Sequence, residues 1–150
     1  MIDGVKIRKI TTHTHDRGNF REILRDDDKL LKKFGQASMT VTYPGVIKAF
    51  HWHKKQDDLW FFAQGKAMVV LHDLREGSPT KGETQTILSD ESDPQLILIP
   101  VGVVHGYKVL GDKPVLLFYH TTEGYNAAAP DEERLAFDDP KINFNWNNLE

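Results

Sequence analysis

The chain has 150 residues, of which 39% are hydrophobic and 27% charged, and it contains no cysteine. That length suits one domain able to bury about two-thirds of its unfolded surface, and the missing thiols exclude disulfides, cysteine nucleophiles and cysteine zinc sites. The 19 basic and 22 acidic residues are mixed along the chain and give a net charge of −3. They leave no footprint for nucleic acid or for an anionic membrane surface.

The opening segment MIDGVKIRKI lacks the apolar core of a signal peptide, and no apolar run approaches a bilayer span. A cytoplasmic protein with no membrane partner is therefore expected. Within it VKIRKI alternates and predicts a first strand. FREILRDDDKLLKKFG, residues 20–35, carries apolar residues at roughly helical spacing. It predicts a short helix or helical turn closed by Gly35. SMTVTY alternates again, and AFHWHKKQDDLW places His51 and His53 two apart on an expected strand. Then come DLWFFAQG, KAMVVLHDL, PQLILIP, HGYKVL and VLLFYHTT, all rich in β-branched or aromatic residues. Turn chemistry separates the strands: YPG, REGSPTKGE, SDESDP, PVG and LGDKP. Many short strands divided by turns predict an all-β sandwich or closed barrel of antiparallel type, occupying the chain as one domain. The tail from Ala127, rich in Asp and Asn with Pro130 and Pro140, is expected to wrap the surface.

Residues two apart on a strand share a face, so His51 and His53 point the same way. Asp57 or Asp58 follows, then Gly65, and further on IPVGVVHGY delivers His105 after Pro100 and Gly102. Imidazoles with a carboxylate can hold a divalent metal, and the same groups can move protons. Both readings stand on the residues alone. Together these residues resemble the two motifs of the cupin superfamily. That resemblance implies a jelly-roll β-barrel in which His51, His53, Asp58 and His105 would be the metal ligands.

A longer series of motifs resembles the dTDP-4-dehydrorhamnose 3,5-epimerase family, from DRGNFRE at residue 16 to the tryptophan at 146. It includes DLREGSPTKGE, LS, QLILIPVGVVHGY, YHTTEGY and FDDPKINFNW, in that order. The resemblance implies an isomerase that works next to the keto group of a dTDP-4-keto-6-deoxyhexose, in deoxysugar or polysaccharide biosynthesis. His51 would be the base and Tyr119 the acid on the opposite face, with no cofactor. Arg17, Phe20 and Glu22 would hold the nucleotide of a neighbouring subunit's site, implying a homodimer that exchanges its N-terminal strand. Gln36, Lys48 and His105 would line the site, Lys48 standing where the family has an arginine.

The sequence also departs from that pattern. Asp58 occupies the place of a family lysine, and the family's aspartate beyond the last tryptophan has no counterpart; Asp138 or Asp139 is a candidate substitute. AFHWHKKQ resembles instead the nucleotide-sugar 3,4-ketoisomerases, in which a histidine pair, here His51 and His53, shuttles a proton. A metal-dependent cupin and a non-catalytic sugar-nucleotide-binding cupin complete the alternatives.

Overall fold

The computed structural model describes residues 1–148. Its strands are β1 (Lys6–Lys9), β2 (His13–His15), β3 (Gly18–Phe20), β4 (Gln36–Thr42), β5 (Ile47–Trp52) and β6 (Asp58–Gln64). They continue as β7 (Lys66–Asp73), β8 (Thr84–Asp90), β9 (Gln95–Ile99), β10 (Val103–Leu110), β11 (Val115–Thr121) and β12 (Glu133–Arg134). One five-stranded sheet runs β1-β9-β6-β11-β4, a second runs β12-β5-β10-β7-β8, and β2 with β3 forms a separate ribbon. Every pairing is antiparallel. The result is the antiparallel all-β sandwich that the short apolar runs predict, in the jelly-roll form that the cupin resemblance implies. No helix of the described residues is long and apolar enough to cross a membrane.

Strands β6, β7, β9 and β10 read as nearly continuous apolar runs because both of their faces are buried. Trp60, Phe62, Val69, Leu71, Ile97 and Val109 point between the sheets and form the main core. Their neighbours point outward, yet they too are covered. Leu59, Phe61, Leu96 and Leu98 lie on the outer face of the first sheet, beneath Ile23, Leu24, Leu30 and Leu31. Phe50, Met68, Val70 and Val104 lie on the outer face of the second, beneath Ile142 and Trp146 of the tail.

Of the short helix or helical turn expected within residues 20–35, the structure forms a single turn. Only Asp26–Asp28 make a 3-10 turn, ended by Lys29 in the left-handed region at φ 54°. The apolar spacing there serves to cover a sheet, which an irregular chain does equally well. Gly35 closes no helix. Its N–H donates to the Thr121 carbonyl at 2.8 Å, and a Cβ there would lie 2.4 Å from the Glu123 backbone. It is the residue that lets this covering segment pass close to the end of β11.

Candidate active site

One end of the sandwich opens into a cavity of about 560 Å³ between the two sheets. His51 and His105 are directly opposed across β5 and β10, their ring centroids 4.2 Å apart. On the facing sheet Trp60 and Tyr119 are directly opposed across β6 and β11. Cross-strand partners share a face, so each sheet presents its pair to the cavity. Asp58, two residues before Trp60 on β6, faces the same way.

A bulge sets the register on the histidine side. Tyr107 pairs with Lys48 and His105 with His51, so β5 spends three residues where β10 spends two. Simple alternation would put Lys48 and His51 on opposite faces of β5. The extra residue brings both to the cavity, as bulges beside functional sites commonly do. Gly106 permits the close approach, since a Cβ there would lie 2.3 Å from that of Ala49.

The polar groups form a closely held cluster. Ring and carboxylate atoms of His51, His53, Asp58 and His105 all come within 4.8 Å of one another. Nε2 of His53 lies 3.6 Å from one oxygen of Asp58, and Nε2 of His105 lies 3.6 Å from the other. Gln56 Nε2 and Trp60 Nε1 also donate to Asp58, at 2.8 and 3.2 Å. Burial favours the neutral acid at Asp58, but the imidazoles of His105 and His53 beside it outweigh burial and hold the carboxyl far below its usual range. Burial opposes charge on His53, but Asp58 outweighs it and raises the imidazole's pKa. His51 goes the other way. Burial first, then the charge of His105 and His53, pushes it down to about 2, so its ring is neutral with a lone pair available.

Three tyrosines, Tyr107, Tyr119 and Tyr125, line the cavity. Tyr107 is buried, which pushes its hydroxyl's pKa up, and that hydroxyl is shared with Thr42 Oγ1 at 2.8 Å. Tyr119 is half-buried against the core, and its hydroxyl has no hydrogen-bond partner among the described residues. Gln36 and Lys48 also reach the cavity: Gln36 accepts the Tyr125 N–H at 2.8 Å, and Lys48 Nζ donates to Thr40 at 3.2 Å.

The structure does not gather every candidate. Arg17 and Phe20 are exposed on the β2–β3 ribbon, and neither they nor Glu22 lines this chain's cavity. Asp57 faces away, pairing with Lys32 at 2.8 Å and accepting the Val101 N–H. Asp138 and Asp139 do not line the cavity either; Asp139 accepts the Lys141 N–H in a turn of the tail. A residue the sequence did not mark takes the position beside the cluster. Asp131 accepts the backbone N–H groups of Lys54, Lys55 and Gln56, and its own carbonyl accepts from His53 Nδ1. Its only local signal is the preceding Pro130.

Comparison with known proteins identifies the family and the fold. The family profile described as dTDP-4-dehydrorhamnose 3,5-epimerase matches residues 1–150. The chain is 59% identical to the spore coat polysaccharide biosynthesis protein SpsL of Bacillus subtilis (strain 168), across 98% of this chain and 97% of that protein. It superposes with a TM-score of 0.91 on a dTDP sugar isomerase from Desulfovibrio desulfuricans G20, at 27% identity, covering 99% and 94% of the two chains. A dTDP-6-deoxy-D-glucose-3,5-epimerase from Legionella pneumophila Philadelphia 1, in complex with dTDP-4-keto-L-rhamnose, gives 0.86 at 25% identity, covering 97% and 80%.

Proposed function

Since this chain belongs to the dTDP-4-dehydrorhamnose 3,5-epimerase family over its whole length, we propose that it inverts a carbon next to the keto group of a dTDP-4-keto-6-deoxyhexose. Proton removal and return on opposite faces is what the reaction needs. His51 and Tyr119 reach one cavity from opposite sheets, and this observation carries the reading. His51, neutral and without a hydrogen bond to another side chain among the described residues, takes the proton. Tyr119, whose hydroxyl is free, returns one from the other side. Asp58 is the anion that stabilises the imidazolium formed on His51. Side chains alone serve as base and acid. Lys48 and Lys55, both lining the cavity, supply positive charge for the diphosphate.

The geometry around His53 favours epimerisation over a two-histidine shuttle. Its Nδ1 is taken by the Asp131 carbonyl and its Nε2 faces Asp58, so neither nitrogen presents a free lone pair to a substrate. The relatives' work on dTDP-sugars and in spore coat polysaccharide biosynthesis supports a place in the making of a deoxysugar for a surface glycan. A homodimer, with Arg17, Phe20 and Glu22 crossing to the partner's cavity, completes the proposal.

The test is proton exchange. Incubated with dTDP-4-keto-6-deoxyglucose in deuterium oxide, the protein should place deuterium at a carbon next to the keto group, read by mass spectrometry and NMR. His51→Ala should slow this by about 10²–10⁴-fold. Tyr119→Phe should keep exchange while slowing appearance of the inverted sugar. Exchange unchanged in His51→Ala would overturn the assignment.

A further inference from the structure

We propose that Tyr107 is a further catalytic residue, whose hydroxyl donates a hydrogen bond to the keto oxygen as that oxygen becomes negative. Tyr107 and Thr42 share one hydrogen bond at 2.8 Å between the two sheets, and neither hydroxyl has another partner among the described residues. Two hydroxyls carry two hydrogens and the shared bond uses one, so the other is uncommitted. If Tyr107 donated, the spare hydrogen would belong to Thr42, which is 2% exposed and does not line the cavity. A buried donor with no acceptor is costly. If Thr42 donates, the spare hydrogen belongs to Tyr107, which lines the cavity and can give it to an oxygen there. The second arrangement strands nothing.

The position suits the role. Tyr107 stands two residues beyond His105 on β10, so it faces the same cavity one step further in. Beyond it the core closes, with Phe62 at 5.4 Å between ring centroids and Val109 on the same strand. Trp60, directly opposed to Tyr119, links the two levels: its ring lies 5.1 Å from that of His105 and 5.6 Å from that of Tyr107. An enolate is flat. Base and acid meet its carbon from the two faces, and its oxygen projects at the rim. The inner level, below both His51 and Tyr119, is where a rim donor has to stand.

This role rests on the proposed reaction. When His51 takes the proton, the C–H electron pair forms a carbon–carbon double bond and the carbonyl pair moves onto oxygen. When Tyr119 returns a proton to the carbon, the carbonyl forms again. Tyr107 keeps its own proton throughout, and burial favours that by pushing its pKa up. A donor fixed in advance beside the developing oxyanion stabilises it more than the ketone it came from. Other donors are committed elsewhere. The Gln36 amide donates to Ser38, and the Gln56 amide and Trp60 indole donate to Asp58. Both lysines of the cavity are solvent-exposed.

The experiment follows deuterium entering dTDP-4-keto-6-deoxyglucose in deuterium oxide. Tyr107→Phe should lower kcat and kcat/KM for exchange alike, by about 10²-fold, as loss of one oxyanion donor does. Its affinity for dTDP and its melting temperature should match wild type, which separates a bond to the charged oxygen from packing. Unchanged kcat with a raised KM, or a slower rate matched by lost dTDP affinity, would overturn the role. Thr42→Val, which leaves the Tyr107 hydroxyl unsteered, should slow exchange by less than Tyr107→Phe; Thr42→Ser, which keeps a hydroxyl, should not slow it. Should Tyr107→Phe fail to fold, equal rates in the two Thr42 variants would overturn the role. Exchange in wild type that is undiminished in Tyr107→Phe sinks this inference alone. No exchange in wild type sinks the proposed reaction and this role with it.

Discussion

Three backbone N–H groups, from Lys54, Lys55 and Gln56, converge on the Asp131 carboxylate at 2.8, 2.9 and 3.2 Å. They hold that carboxyl below its ordinary range, against the opposing pull of burial. One residue of the tail thus fixes the turn after β5 and, through its carbonyl, the ring of His53. Asp131→Ala removes the acceptor for three N–H groups at once, whereas Asp131→Asn keeps one carbonyl oxygen. The alanine variant should lose about 10–100-fold in exchange rate, since misplacements of about 1 Å beside the chemistry have effects of that order. The asparagine variant should lose less. Equal rates for Asp131→Ala and wild type would mean that β5 holds the histidines without the tail.

The connection between β7 and β8 shows how much of a motif can be structural. Asp73, whose side chain is wholly buried, accepts from Ser78 Oγ at 2.5 Å, Thr80 Oγ1 at 2.7 Å and the Arg75 guanidinium at 2.9 Å. Arg75 also donates to the Asp3 carbonyl, tying the N-terminus to the turn. The Arg75 hydrogen bond, aided by Ser78 and Thr80, holds the Asp73 carboxyl well below its ordinary value despite burial. A depressed carboxylate stabilises the fold above its unfolded pKa near 3.9, and the effect is lost as pH falls through the folded value. Asp73→Ala leaves Arg75 uncompensated and should cost about 3 kcal/mol in urea unfolding at pH 7. The gap should narrow below about pH 4; a constant gap would contradict the ion pair. DLREGSPTKGE was legible as a family signature, but nothing in it announced a buried carboxylate network. The strands β6, β7, β9 and β10 were legible because burial on both faces leaves long apolar runs; β11 was legible from its apolar start, VLLFY. Polar β2, β3 and β12 carry no such signal, and β8 is set by its pairing with β7. At the site, His51, His105 and Tyr119 could be singled out from motifs. The bulge that turns Lys48 to the cavity and the approach of Asp131 depend on contacts distant in sequence, which no local pattern encodes.

At the scale of the whole molecule, two exposed features point to a second copy of the chain. Strand β4 is a sheet edge, with Met39 58% and Val41 51% exposed, and Phe118 on the neighbouring strand also reaches solvent. An apolar edge of this kind invites pairing. The β2–β3 ribbon stands apart with Phe20 58% exposed, while the cavity has lysines but no arginine among its lining residues. A symmetric dimer would cover the edge and bring Arg17 of each subunit to its partner's diphosphate. Deleting the N-terminal segment cannot test this, because Ile2 and Val5 belong to the core and β1 pairs with β9. Subunit mixing can. Arg17→Ala and His51→Ala dimers should each be nearly inactive, one short of its phosphate partner and the other of its base. In a mixed dimer, the subunit carrying Arg17→Ala keeps its own His51 and receives intact Arg17 of the partner subunit. Equal mixing with exchange of subunits should therefore restore about a quarter of wild-type sites. Light scattering should show the mass of a dimer throughout. If Arg17 serves its own chain instead, each variant's defect stays with it, and mixing restores nothing.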